Sequence, residues 1–115
     1  MLTTEALRAY GADTRAGLAQ CLNDERLYLG LVEMLMNDRR FDELWMAVQT
    51  MEMDRAIHEA HALSDTAASL ALTPLVEQLD MMILCLQIKG DSAVLEKQLN
   101  NLGTALEKLR KIDLE

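Results

Sequence analysis

The chain holds 115 residues, enough for one domain with its own core, and its 22 Leu, 14 Ala, 10 Glu and 8 Met stand against only 4 Val, 4 Ile and 4 aromatics. That usage suits helices and starves a sheet, which excludes an all-β fold, argues against α/β and leaves all-α as the expectation. A net charge of −8 counts against nucleic acid and against anionic membrane surfaces, because both require clustered Lys and Arg.

In chain order, Thr3 or Thr4 should cap a first helix that runs to about Tyr10 and closes at Gly11. Asp13 or Thr14 opens a second, with Leu18, Cys21 and Leu22 on one side. Asn23-Asp24-Glu25 supplies a cap and first-turn carboxylates to a third, ending near Met36, whose apolar positions Leu27, Leu31, Met34 and Leu35 recur at helical steps. After a break at Asn37-Asp38-Arg39-Arg40, the stripe Phe41, Leu44, Trp45 and Val48 carries a fourth to about Thr50. The next spans about Met53 to Leu72 and places Met53, Ile57, Ala60, Leu63, Ala67 and Leu70 on one side. Thr73 is the expected N-cap of a helix with Pro74 at its first position, carrying Leu75, Leu79, Met82, Ile83 and Leu86 to Lys89. Gly90 reads as a terminating glycine and Asp91 as the cap of a last helix with Val94, Leu95, Leu99, Leu102, Leu106 and Leu109, ending near Lys111. Short connectors between long amphipathic helices make neighbours antiparallel. The expectation is one domain over residues 1–115: an up-and-down antiparallel four-helix bundle with additional short N-terminal helices. The methionines Met34, Met36, Met46, Met51, Met53, Met81 and Met82 read as adaptable core filler. Trp45 reads as a core anchor, and Arg39-Arg40 as a solvated corner.

The longest apolar run, Met81 to Leu86, is six residues and cannot span a bilayer. The start MLTTEALRAYGAD has neither the basic opening nor the apolar centre of a signal peptide, so a cytoplasmic location is expected. Cys21 and Cys85 lack metal-ligand or disulfide-framework spacing and read as reduced packing residues.

Chemistry concentrates on the segment 53–72, which carries both histidines. With Ile57, Ala60 and Ala67 facing the core, His58 points away from it and His61 lies on the solvent-side flank. Ser64 and Asp65 follow one turn after His61, and Ala62 and Ala68 are small enough to let another surface approach. Three readings arise: two solvated histidines; a metal site built from His58, His61 and Asp65; or reversible phosphoryl transfer on an exposed imidazole. Against the metal reading, catalytic zinc needs a third well-placed ligand, no Glu-x-x-His pair occurs, and both histidines point outward. The phosphoryl reading needs one exposed histidine on a rigid helix, with a magnesium site and acceptor aspartate supplied by a partner.

The stretch Asp54–Ala71, DRAIHEAHALSDTAASLA, resembles the central helix of the histidine-containing phosphotransfer (HPt) domain family, which carries Ala-His-x-Leu-Lys-Gly-x-Ala and a further Gly ten residues after the His. Ala60, His61, Leu63 and Ala67 match. Ser64 stands at the family's Lys, Asp65 at its Gly and Ala71 at its later Gly. Asp24 to Tyr28 resembles the family's first long helix, and Leu75 through Gly90-Asp91 its helix and Gly-Asp turn after the active one. The resemblance implies a phosphorelay module of two-component signalling. His61 would be the phosphoacceptor, with His58, Ala62, Ser64, Asp65 and Ala68 as the partner-binding face. The partner would be a receiver domain or histidine kinase; no cofactor of the chain's own is implied, Mg²⁺ being expected on the receiver. A monomeric carrier rather than a stand-alone enzyme is expected. The alternative is a degenerate HPt-like module that docks on the same partners without carrying phosphate.

Overall fold

A computed structural model describes residues 1–115. It contains seven helices and no strand: α1 Thr4–Tyr10, α2 Thr14–Gln20, α3 Glu25–Met36, α4 Arg40–Gln49, α5 Met53–Ser69, α6 Thr73–Gln87 and α7 Ser92–Leu114. Four starts are fixed by side-chain caps in which an oxygen accepts a backbone N–H three residues on. Thr3 caps Ala6, Asp13 caps Ala16, Asp24 caps Leu27 and Asp91 caps Val94, at 2.9–3.1 Å.

The helix ends agree with the sequence expectation at α1, which closes at Gly11, and at α3, which stops at Met36, and depart from it at α5 and α6. Five of them close in the same way: one residue turns left-handed and the next N–H reaches back five residues to a carbonyl. Only at α1 is the left-handed residue a glycine, Gly11 at φ 116°. Leu22, Met51, Ala71 and Lys89 occupy the equivalent position after α2, α4, α5 and α6 at φ 54–61°, and after α2 the following Asn23 is left-handed as well, at φ 60°. The reaching bonds are Asn23 to Leu18, Glu52 to Ala47, Leu72 to Ala67 and Gly90 to Cys85. Thus Lys89, not Gly90, turns the chain. The segment expected to reach Leu72 stops at Ser69, because the turn at Ala71 redirects Leu72 into the core, fully buried. Leu72 then stands at the N-cap of α6, so Thr73 is its first residue rather than its cap and makes no capping bond.

The core is contiguous and leucine-rich, with Leu63, Leu72, Leu75, Leu79, Met82, Leu95, Leu99, Leu102 and Leu109 all essentially inaccessible. Helix α5 packs between α4 and α6, and α6 packs on α7, while α3 touches both α5 and α7 and α1 lies on α7. Ala56, Ala60 and Ala67 are fully buried, and such small side chains let the neighbours of α5 come close; Met53 and Ile57 are only half-buried at its edge. Trp45 is likewise half-buried, with its ring laid over Gly103 of α7, where an added Cβ would sit 3.3 Å from it. Arg39 and Arg40 are exposed, and both cysteines are buried and free.

One stripe is rotated relative to expectation. On α3 the buried face is Tyr28, Val32, Leu35 and Met36, while Leu27 is 46% and Met34 70% exposed. The rotation has a polar cause: it brings the Tyr28 hydroxyl to the Leu70 carbonyl at 2.9 Å, satisfying an acceptor at the end of α5. Leu22 and Val94 are also outside. Of the seven methionines expected as filler, only Met36 and Met82 are buried; Met34, Met46, Met51 and Met81 are exposed.

Candidate functional site

Helix α5 is the natural support for a site because packed helices hold it on two sides and its ends are fastened by backbone bonds. Its outward face carries His58, His61, Asp65 and Ala68, all exposed, with Ala62 half-buried beside them. At 3.6 residues per turn, His61 lies one turn after His58, and Asp65 one turn after His61. Neither imidazole hydrogen-bonds or ion-pairs with another protein group, so both rings are free to meet something else. Arg55, the nearest cation along this helix, is engaged with Glu52 at 3.4 Å.

Ser64 is the exception among the expected face residues. It is 7% exposed and its hydroxyl donates to Asp80 Oδ1 of α6 at 2.7 Å. Its side chain thus belongs to the α5–α6 seam and not to the outward face. The periodicity places residue 64 on the flank of the core stripe, but only the pairing of α5 with α6 brings Asp80 opposite it. Asp80 is therefore a residue the sequence reading missed; from one helix's pattern alone there was no signal for it. Glu59 is a second. One of its carboxylate oxygens is buried without a hydrogen-bond partner, on the opposite flank of α5 from Ser64.

His58, His61 and Asp65 do not converge as a metal-ligand set, and no group of three or more His, Cys, Asp or Glu side chains does so anywhere in the structure. The grooves lie elsewhere. The largest described, about 740 Å³, runs between α4 and α7 past Phe41, Trp45 and Gly103. His61 thus stands on an exposed helix face away from these grooves, with His58 one turn before it and the Asp65 carboxylate one turn after it. Such a face can present a nucleophilic nitrogen to a partner that brings the rest of the chemistry. No helix is long and apolar enough to cross a membrane.

No protein-family model, curated protein or solved structure matches this chain.

Proposed function

We propose that the chain is a histidine phosphotransfer module of a two-component phosphorelay, working in the cytoplasm, with α4–α7 as an up-and-down antiparallel four-helix bundle and α1–α3 as additional helices. His61 is the phosphoacceptor. One ring nitrogen attacks the acyl phosphate of a receiver aspartate, the N–P bond forms as the aspartyl O–P bond breaks, and the freed carboxylate stays on the receiver. Return transfer runs the same step backwards. Magnesium and most of the transition-state stabilisation come from the receiver. The single observation that carries this reading is the unpartnered, exposed ring of His61 at mid-length of a helix held on both sides. The left-handed turn at Ala71 adds support, since the resembled family has glycine at that place and glycine is the residue such a backbone favours.

A second reading, docking on a receiver or histidine kinase without carrying phosphate, is favoured by Asp65. Its exposed carboxylate lies one turn from His61, where it opposes a phosphoryl charge, and the hydroxyl of Ser64 is already committed to Asp80. Incubation with a phosphate-charged receiver separates the two. The first reading expects acid-labile label on the wild type that disappears in His61→Gln and persists in His58→Gln. Stable binding without label selects docking; absence of both label and binding rejects both readings.

A further inference from the structure

The rotation of α3 leaves it with a second apolar line that the chain covers only in part, at Leu31: Leu27, Gly30, Leu31 and Met34, spaced as one face of a helix. Leu27 and Met34 are well exposed, Leu31 is half-buried, and open space surrounds Gly30, with no atom within 4 Å of where a Cβ would stand. Arg26 and Glu33 are both exposed on one flank of this line, seven residues apart and therefore within about 20° of each other around the helix. Neither belongs to an internal ion pair; the three pairs in the chain are Arg39 with Glu43, Arg55 with Glu52, and Arg110 with Glu107.

We infer that this face of α3 is the dimer interface of the protein, and that its occupant is α3 of a second copy packed antiparallel across a two-fold axis at Gly30. The pattern is self-complementary in only that arrangement. A two-fold axis perpendicular to the helices returns each flank to itself with its direction reversed. Arg26 then faces Glu33 of the other copy and Glu33 faces its Arg26, while Leu27 meets Met34 on the apolar side. A parallel pair would instead set the Arg26 and Glu33 flank against the opposite flank. Gly30 falls at the crossing point, where the absence of a side chain lets the backbones approach at the short end of the 8–10 Å range for packed helices. The 12 residues of α3 span only about 18 Å. The surface is therefore below the size of a permanent interface, and the dimer is reversible and concentration-dependent. Such a dimer differs from the monomer expected from sequence and does not depend on the role of His61.

Sedimentation of the full chain over a wide concentration range tests it. The wild type should dimerise reversibly, Arg26→Glu should weaken association by at least about tenfold because the like charges meet twice across the axis, and the swap Arg26→Glu with Glu33→Arg should restore it. All three positions of the test are exposed, and an unchanged circular-dichroism melt shows that the variants fold. Gly30→Cys gives an independent readout: it should cross-link spontaneously to its own copy, against a background of two buried cysteines. A wild type that stays monomeric throughout, a dimer indifferent to Arg26→Glu, a swap that fails to restore association, or a Gly30→Cys chain that does not cross-link overturns the assignment.

Discussion

The first three helices and the four that follow are stabilised by different means. Helices α6 and α7 carry long leucine-rich stripes, and α5 packs beside them through Leu63 and a row of buried alanines, so many residues share the burial and no single position decides the arrangement. Helices α1 to α3 are held to them by a few specific fastenings. The Tyr10 hydroxyl donates to the Ala105 carbonyl and the Tyr28 hydroxyl to the Leu70 carbonyl, each at 2.9 Å, and the Arg110 guanidinium donates to the Met36 carbonyl at 3.0 and 3.2 Å. Gly17 completes the set: a Cβ there would collide with the Tyr28 ring and lie 2.7 Å from the Leu70 carbonyl oxygen. Distributed burial makes a region tolerant in detail, whereas point fastening makes its position depend on individual atoms.

Substitutions can break this contrast, beginning with the core. Leu79→Ala, at a fully buried site in α6, should cost about 2–5 kcal/mol in chemical denaturation and lower the stability of the whole chain in one transition, followed by the single Trp45. Gly17→Ala should cost about 1–3 kcal/mol, since the Leu70 carbonyl is backbone and the Tyr28 ring is fully buried. Its effect should be local: hydrogen exchange should rise in α1 to α3 before α5 to α7. Loss of protection spread evenly over all seven helices would erase the distinction drawn above.

Tyr28→Phe should cost about 1 kcal/mol, because it leaves the Leu70 carbonyl without its donor. The same residue gives the contrast a pH dependence. Burial, reinforced by the Cys21 thiol and the Asp13 carboxylate, pushes the Tyr28 hydroxyl up to about 12, and burial alone does the same for Tyr10. A tyrosine whose value is higher folded than unfolded contributes its full share below about pH 10 and loses it as pH rises toward 12. Alkaline titration should therefore release the N-terminal helices first, and the Tyr28→Phe chain should show a shallower loss over that interval. The smallest expected change is a gain. Lys89→Gly should stabilise by about 0.5 kcal/mol, since glycine relieves a left-handed backbone at an exposed site and gives back part of that gain through unfolded-state entropy. A thermal melt of the variant measures it.

Much of this architecture is legible in the sequence wherever one residue makes the decision locally. The capping roles of Thr3, Asp13, Asp24 and Asp91 follow from side chains that bond within their own turn, and the starts of α1, α2, α3 and α7 follow with them. The C-terminal ends were hidden because Leu22, Met51, Ala71 and Lys89 do the work that composition assigns to glycine. The facing of α3 was hidden for another reason. Its two apolar lines are alike in period, and the choice between them is made by a tyrosine bond to a residue 42 positions away. At the candidate site, the exposed positions of His58, His61 and Asp65 follow from the α5 period alone. The position of Ser64 does not, because it lies on the seam between two helices and its partner is on the other one.

The bond between Ser64 and Asp80 ties the fates of two positions. A lysine introduced alone at 64 would emerge beside a carboxylate on the neighbouring helix and be captured there, leaving His61 without a cation. Only a chain altered at 80 as well could release that lysine toward the ring. The two sites thus form a single unit of change: the effect of a substitution at one depends on what the other holds, and mutational histories that visit them in different orders pass through proteins with different chemistry at the histidine.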